Sequence, residues 1–201
     1  MRGMMGSAAR QKLIEIVCRT SYEYRDVEFK LASGSTSHHY VDCKRGLSYP
    51  QMIELLGDVI LDTASDVEFD VAGGLELGAY PIGVAVSLAA YRRGRELRSF
   101  VIRKVPKKHG MQKLVEGTVR SGDKVLIVDD VITRGDSIIK AIQSSRDEGF
   151  EVVGVVAIVD REQDGGRANI EAQGVWVRAI MTLDELIQTH AAEGQLTAHR
   201  H

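Results

Sequence analysis

The chain has 201 residues, 44% hydrophobic and 27% charged, with a formal net charge of -2. That length suits one large α/β domain with a substantial core, and the slightly acidic balance argues against bulk binding to nucleic acid or to an anionic membrane. No apolar run approaches the roughly 18 residues of a membrane span, the N-terminal MRGMMGSAAR holds no apolar signal core, and two distant cysteines, Cys18 and Cys43, read as reduced thiols of a cytosolic protein.

In chain order, Ala8 to Cys18 has helical periodicity, with Leu13, Ile14, Val17 and Cys18 on one face. Val27 to Leu31 and His39 to Cys43 read as short strands around an SGSTS turn, a β-hairpin or extended arm. Pro50 opens a helix to about Asp62. Phe69 to Ala72 is a short strand expected to end at Gly73-Gly74, Tyr80 to Arg92 a helix, and Arg98 to Ile102 a strand. Val105 to Arg120 shows little apolar periodicity, is rich in lysine and glycine, and has the length of a mobile lid. Lys124 to Asp130 is the central strand, Ser137 to Glu148 its helix, and Val152 to Val159 and Gly174 to Val177 further strands. Thr182 caps a last helix, with Glu185 completing a capping box. Strands alternating with helices imply a mainly parallel sheet, which binds ligands at the carboxyl ends of its strands. Four such ends stand out: Gly73-Gly74, Arg103-Lys104, Asp129-Asp130 and Asp160-Arg161.

The most informative stretch is VLIVDDVITRGDS, Val125 to Ser137. Four aliphatics lead into two aspartates, and a short polar loop then enters a helix. Backbone N–H groups and the positive end of a helix dipole suit a phosphate. Adjacent carboxylates suit vicinal hydroxyls or a hydrated magnesium ion. The plain alternative is one helix-capping acid and one surface acid. A P-loop for nucleoside triphosphates is excluded, since G-x-x-x-x-G-K-S/T occurs nowhere. The stretch resembles the phosphoribosyl diphosphate (PRPP) signature of the type I phosphoribosyltransferases. The resemblance implies that Asp129 and Asp130 take the ribose hydroxyls. Val131, Ile132, Thr133, Arg134, Gly135, Asp136 and Ser137 complete the PRPP segment, with Thr133 to Ser137 as the phosphate loop. Arg134 and Asp136 depart from the small or hydroxylated residues common there.

RKVPKKHG, Arg103 to Gly110, places Arg103, Lys104, Lys107, Lys108 and His109 directly after a strand. Alone it reads as a solvated basic loop, or as a nucleic-acid patch weakened by the absence of interleaved aromatics. Its spacing closely resembles the mobile loop of the orotate phosphoribosyltransferases, matched by Arg103, Lys104, Lys107 and His109. There a basic flap would neutralise a departing diphosphate and exclude water. FKLASGSTSHHYVDCKR, Phe29 to Arg45, resembles the N-terminal arm of that family, which puts Lys30 on the substrate. Asp160-Arg161-Glu162-Gln163 resembles the segment whose arginine meets the orotate carboxylate, as a guanidinium fork does well. GGLELGAYPIG, Gly73 to Gly83, would be the diphosphate loop, with Leu77 where some members carry lysine.

The resemblance implies a single domain over 1–201 with the type I phosphoribosyltransferase fold. It would have a central mainly parallel sheet flanked by helices, a small N-terminal hood at about 1–45 and a mobile basic loop at 104–118. The implied catalytic set is Lys104, Lys107, His109, Asp129 and Asp130, with Lys30, Thr133 and Arg161 on orotate. Magnesium would be carried mainly by the substrate, and the active sites would be shared within a homodimer. Two alternatives stay open: a phosphoribosyltransferase for another base, and a non-catalytic PRPP-sensing regulator.

Overall fold

The structure, a computed structural model, describes residues 2–31, 34–105 and 114–198. Helix α1 (Arg2–Ser21) extends beyond the predicted segment at both ends and buries Leu13, Ile14, Val17 and Cys18. The hairpin is present: β1 (Tyr22–Lys30) pairs antiparallel with β2 (Thr36–Val41), Lys30 opposite Thr36. Cys43, predicted to close the second strand, instead starts a one-turn helix, α2 (Cys43–Gly46). The cause is Asp42, whose carboxylate accepts the Lys44 N–H at 3.2 Å and caps that turn. Helix α3 (Pro50–Thr63) follows, with proline in its first turn.

Strand β3 (Val71–Leu75) contains Gly73 and Gly74 and does not stop at them. A side chain at Gly73 would run into the carbonyl and ring of Phe100, and one at Gly74 into the Val128 carbonyl. The glycine pair therefore serves close packing within the sheet, not a turn. Helix α4 (Ala79–Arg92) and strand β4 (Arg98–Ile102) lie where predicted. The expected irregular stretch up to Arg120 instead contains a short antiparallel edge strand, β5 (Val115–Gly117). Val115 and Val119 pack against the core, but three residues are too few to show a strand period. The remaining elements are β6 (Lys124–Ile132), α5 (Asp136–Asp147), β7 (Glu151–Asp160), the unpredicted α6 (Gly166–Glu171), β8 (Trp176–Thr182) and α7 (Leu183–Ala198). The last strand begins later than expected because Gly174, at φ 76°, still belongs to the turn after α6. The predicted capping box forms: Thr182 Oγ1 accepts the Glu185 N–H at 3.2 Å, and Glu185 accepts the Thr182 N–H at 2.9 Å.

The main sheet has the order β5-β4-β3-β6-β7-β8, parallel except at β5. Side chains alternate across it. Leu126, Val128, Val156 and Ile158 face a core shared with α1, α3, α4 and α7. Val125, Ile127, Val155 and Ala157 face the core of α5 and α6. Burial on both faces explains the unbroken aliphatic runs of β6 and β7. Among the described residues, no helix is long and apolar enough to cross a membrane, and Cys18 and Cys43 are buried free thiols.

Candidate active site

The carboxyl end of β6 carries the two acids up beside the start of α4. Asp129 is 6% exposed. Its Oδ2 accepts the Ser137 hydroxyl at 2.7 Å, and its Oδ1 accepts the Asp130 N–H at 2.9 Å. Burial, and then the charge of Asp130, push its carboxyl up from 3.8 to about 7. Asp130 Oδ1 accepts the Val131 N–H at 2.9 Å, and its Oδ2 accepts Lys44 Nζ at 2.8 Å. Cys43 lies fully buried under this pair. Burial first, and then the charge of Asp130, hold its thiol well above the ordinary range.

Gly78 fixes how close the β3–α4 loop comes to the acids. A methyl group there would sit 2.9 Å from the Asp130 carboxyl and 3.0 Å from Asp129 Oδ1. A side chain there would force the carboxylates to shift, and the bare backbone lets the start of α4 lie against both of them. One residue earlier, Leu77 is 73% exposed. Glu76 accepts the Lys104 N–H at 2.9 Å. It therefore ties this loop to the root of the basic segment. The other side of that root is held as well: the Arg103 N–H donates to the Leu114 carbonyl at 2.9 Å, and Arg103 lies 3.7 Å from Glu116. Lys107, Lys108 and His109 lie outside the described residues.

After β6 the chain turns at Gly135, whose φ of 85° is left-handed, and enters α5. Of the predicted PRPP residues, Ile132 is buried in the core and Val131 packs against it. Their side chains belong to the core, which leaves their backbone N–H and carbonyl groups as what they can offer a ligand. Arg134 and Asp136 are exposed and pair with each other at 3.3 Å, so the acid is not aimed alone at an anion. The unpredicted α6 buttresses the loop: Asn169 Nδ2 donates to the Arg134 carbonyl at 3.1 Å, and Gly166 packs against the Thr133 carbonyl.

Arg161, at the end of β7, is 4% exposed. It donates to the His39 carbonyl and Ser37 Oγ at 3.1 Å each and to Gln163 Oε1 at 3.2 Å. Ser35 Oγ donates to Asp164 at 3.0 Å. These bonds clamp the hairpin over the end of β7. Among the described residues, no carboxylate lies within ion-pair range of Arg161, and burial presses down on its charge. Lys30 stands exposed at the end of β1. The fourth strand-end acid, Asp160, is not part of the site. It is buried and paired with Arg167 at 2.9 Å. Sequence reasoning gave no role to Lys44 or to the hairpin residues Ser37 and His39 that hold Arg161, because these act across long separations in the chain.

An acid pair under a helix start, a hydroxyl-rich loop into α5 and a buried arginine under a hairpin together match a known architecture. Residues 68–176 match the phosphoribosyl transferase domain family. The chain is 38% identical over 179 residues to the orotate phosphoribosyltransferase of Aquifex aeolicus, an alignment covering 89% of this chain and 97% of the relative.

The chain belongs to the orotate phosphoribosyltransferase family.

Solved structures agree. The Mycobacterium tuberculosis orotate phosphoribosyltransferase in complex with Fe(III) dicitrate superposes with a TM-score of 0.78 at 38% identity, covering 89% of this chain and 98% of that one. A structure of the same mycobacterial enzyme in complex with PRPP gives a TM-score of 0.71 at 32% identity, with 89% and 92% covered. The orotate phosphoribosyltransferase fold expected from the sequence is therefore the fold found, with the mostly parallel sheet and its flanking helices.

Proposed function

We propose that this chain transfers the 5-phosphoribosyl group of PRPP to orotate in the cytosol, giving orotidine 5-monophosphate and diphosphate for pyrimidine biosynthesis. The observation that best supports orotate among possible bases is Arg161, a buried guanidinium with no carboxylate within ion-pair distance among the described residues and only the longer-range field of Asp164 to offset its burial. Such a charge is costly unless an anion joins it, and orotate carries a carboxylate that a guanidinium can grip.

In this reading Asp129 and Asp130 accept the ribose hydroxyls, and the Thr133–Ser137 loop holds the 5-phosphate at the start of α5. Thr133 and Lys30 complete the orotate pocket. The bond from the anomeric carbon to diphosphate breaks early, and its electron pair leaves with the diphosphate. Orotate, with N1 already deprotonated, then closes as the N1 anion on an oxocarbenium-like carbon. Arg103, Lys104, Lys107 and His109 stabilise the departing charge, Lys107 most directly. Asp129 and Asp130 are oxygen donors side by side and fit a hard, largely hydrated cation, with PRPP oxygens supplying most of the coordination. When bound, magnesium supplies neutralisation of diphosphate charge.

A homodimer with shared sites belongs to the same proposal. Tyr80, Val84, Leu88 and Tyr91 are exposed at helical spacing along α4, an apolar stripe that a second copy would cover. The test of activity is direct: mix the protein with orotate, PRPP and magnesium, and follow the loss of orotate absorbance. Turnover of a purine or uracil but not orotate would reassign the base. PRPP binding without turnover of any base would make the chain a sensor.

A further inference from the structure

Lys44 lies near the end of the Phe29–Arg45 arm and carries no role in the readings above, yet its ammonium is 2.8 Å from Asp130 Oδ2. Among the described residues it is the one cation within ion-pair range of the acid pair. Its place is set locally. Asp42 caps α2 by accepting the Lys44 N–H, and the same Asp42 oxygen lies 3.8 Å from Nζ. The backbone just before this turn is the hairpin that clamps Arg161.

An exposed ion pair is ordinarily worth little. This one is asymmetric, with the lysine side chain 56% exposed but that of Asp130 only 13%. Asp130 also sits beside a second, buried carboxylate. Each Asp130 oxygen accepts one bond within the protein and keeps a further lone pair for a sugar hydroxyl.

We propose that Lys44 is a positioning residue for the sugar of PRPP, acting through Asp130: it supplies the positive charge and the anchoring hydrogen bond that hold this carboxylate ready to accept a ribose hydroxyl. The proposal deepens the PRPP reading and rests on it. A further observation agrees. Burial opposes the Lys44 charge, but the bond and field of Asp130, with the field of Asp42, more than offset it, so the ammonium stays above the ordinary lysine range.

The experiment is steady-state kinetics of Lys44→Met and Lys44→Arg with magnesium present, varying PRPP at saturating orotate and then the reverse. Losing a charge-assisted hydrogen bond to the acceptor should raise the KM for PRPP about tenfold in Lys44→Met. The KM for orotate should stay within about twofold and kcat should change less than the KM for PRPP, because the lysine acts on sugar placement. Lys44→Arg should recover most of the loss. A general structural fault would instead lower kcat and shift both KM values together. Melting curves check folding, and Lys44→Gln carries the same expectation should Lys44→Met not fold. An unchanged or lower KM for PRPP, or Lys44→Arg as impaired as Lys44→Met, would overturn the role of Lys44 while leaving the activity standing. A wild type inert toward orotate and PRPP would overturn the reading and this inference together.

Discussion

Asp129→Asn removes the most perturbed acid of the site and keeps its shape. The carboxyl of Asp129 titrates at about 7 instead of 3.8, first because it is buried and then because Asp130 adds a second negative charge. A folded-state value above the unfolded one means that the native protein holds a proton the unfolded chain has released. This contribution to stability is fully present below about pH 4 and is lost as pH rises through about 7. The gap is about 3 units, and at about 1.4 kcal/mol per unit the ceiling is about 4 kcal/mol. Asparagine does not titrate, and it can replace both native bonds. Its carbonyl can accept the Asp130 N–H, and its amide can donate to Ser137 Oγ, the two partners Asp129 has now. Without PRPP or magnesium, Asp129→Asn should therefore be more stable than wild type at pH 8 by about 2 to 4 kcal/mol. The two should converge to within about 1 kcal/mol by pH 4. For a chain of this size that is a Tm difference of roughly 10 °C at pH 8, readable by calorimetry or by denaturant unfolding. The same variant should lose PRPP binding, so stability would be gained at the expense of function. A stability gap that does not widen between pH 4.5 and 8, or a wild type more stable at pH 8, would refute the reasoning that Asp129 is ionised at a cost.

Lys107→Ala should lower turnover by about 100- to 1,000-fold, the scale for losing one donor to a developing charge, with an unchanged melting curve; wild-type kcat would remove the basic segment from the chemistry. Mixing Lys107→Ala with Asp129→Asn should restore part of the activity through hybrid dimers, and no recovery after demonstrated subunit exchange would count against shared sites. Arg161→Gln should raise the KM for orotate by about 100-fold or more, since a buried charge-assisted pair is lost, while PRPP still protects the protein from thermal unfolding; an unaltered KM for orotate would assign Arg161 to holding the hairpin alone. Thr182→Ala should lower stability by about 1 kcal/mol through loss of the capping box without changing either KM, and equal stability would mean that the cap does not limit unfolding.

What was legible in the sequence depended on how local its cause is. The run Val125–Asp130 announces a strand buried on both faces, and its end is marked by charge, so the strand and the acids at its carboxyl end, the centre of the candidate site, could be located from residues alone. Thr182 and Glu185 are three residues apart and satisfy each other, so that helix start was also readable. Gly73 and Gly74 misled, because glycine signals a turn in sequence but here lets β3 pack against Phe100 and Val128. Strand β5 and helix α6 were too short to show a period, though α6 supports the loop after β6 through Asn169. Asp160 and Arg161 are neighbours in sequence with different tasks, one paired with Arg167 and the other bonded to the hairpin. The bond from Lys44 to Asp130 spans 86 positions, and no spacing rule reaches that far.

The central claim is that one rim of the sheet brings a sugar phosphate and a carboxylated base together. A crystal structure of the protein with PRPP, magnesium and orotate tests it most directly. The account predicts ribose hydroxyls within hydrogen-bond distance of Asp129 and Asp130, and the orotate carboxylate against Arg161. Electron density placing PRPP away from those two acids, or orotate on a face remote from Arg161, would contradict it.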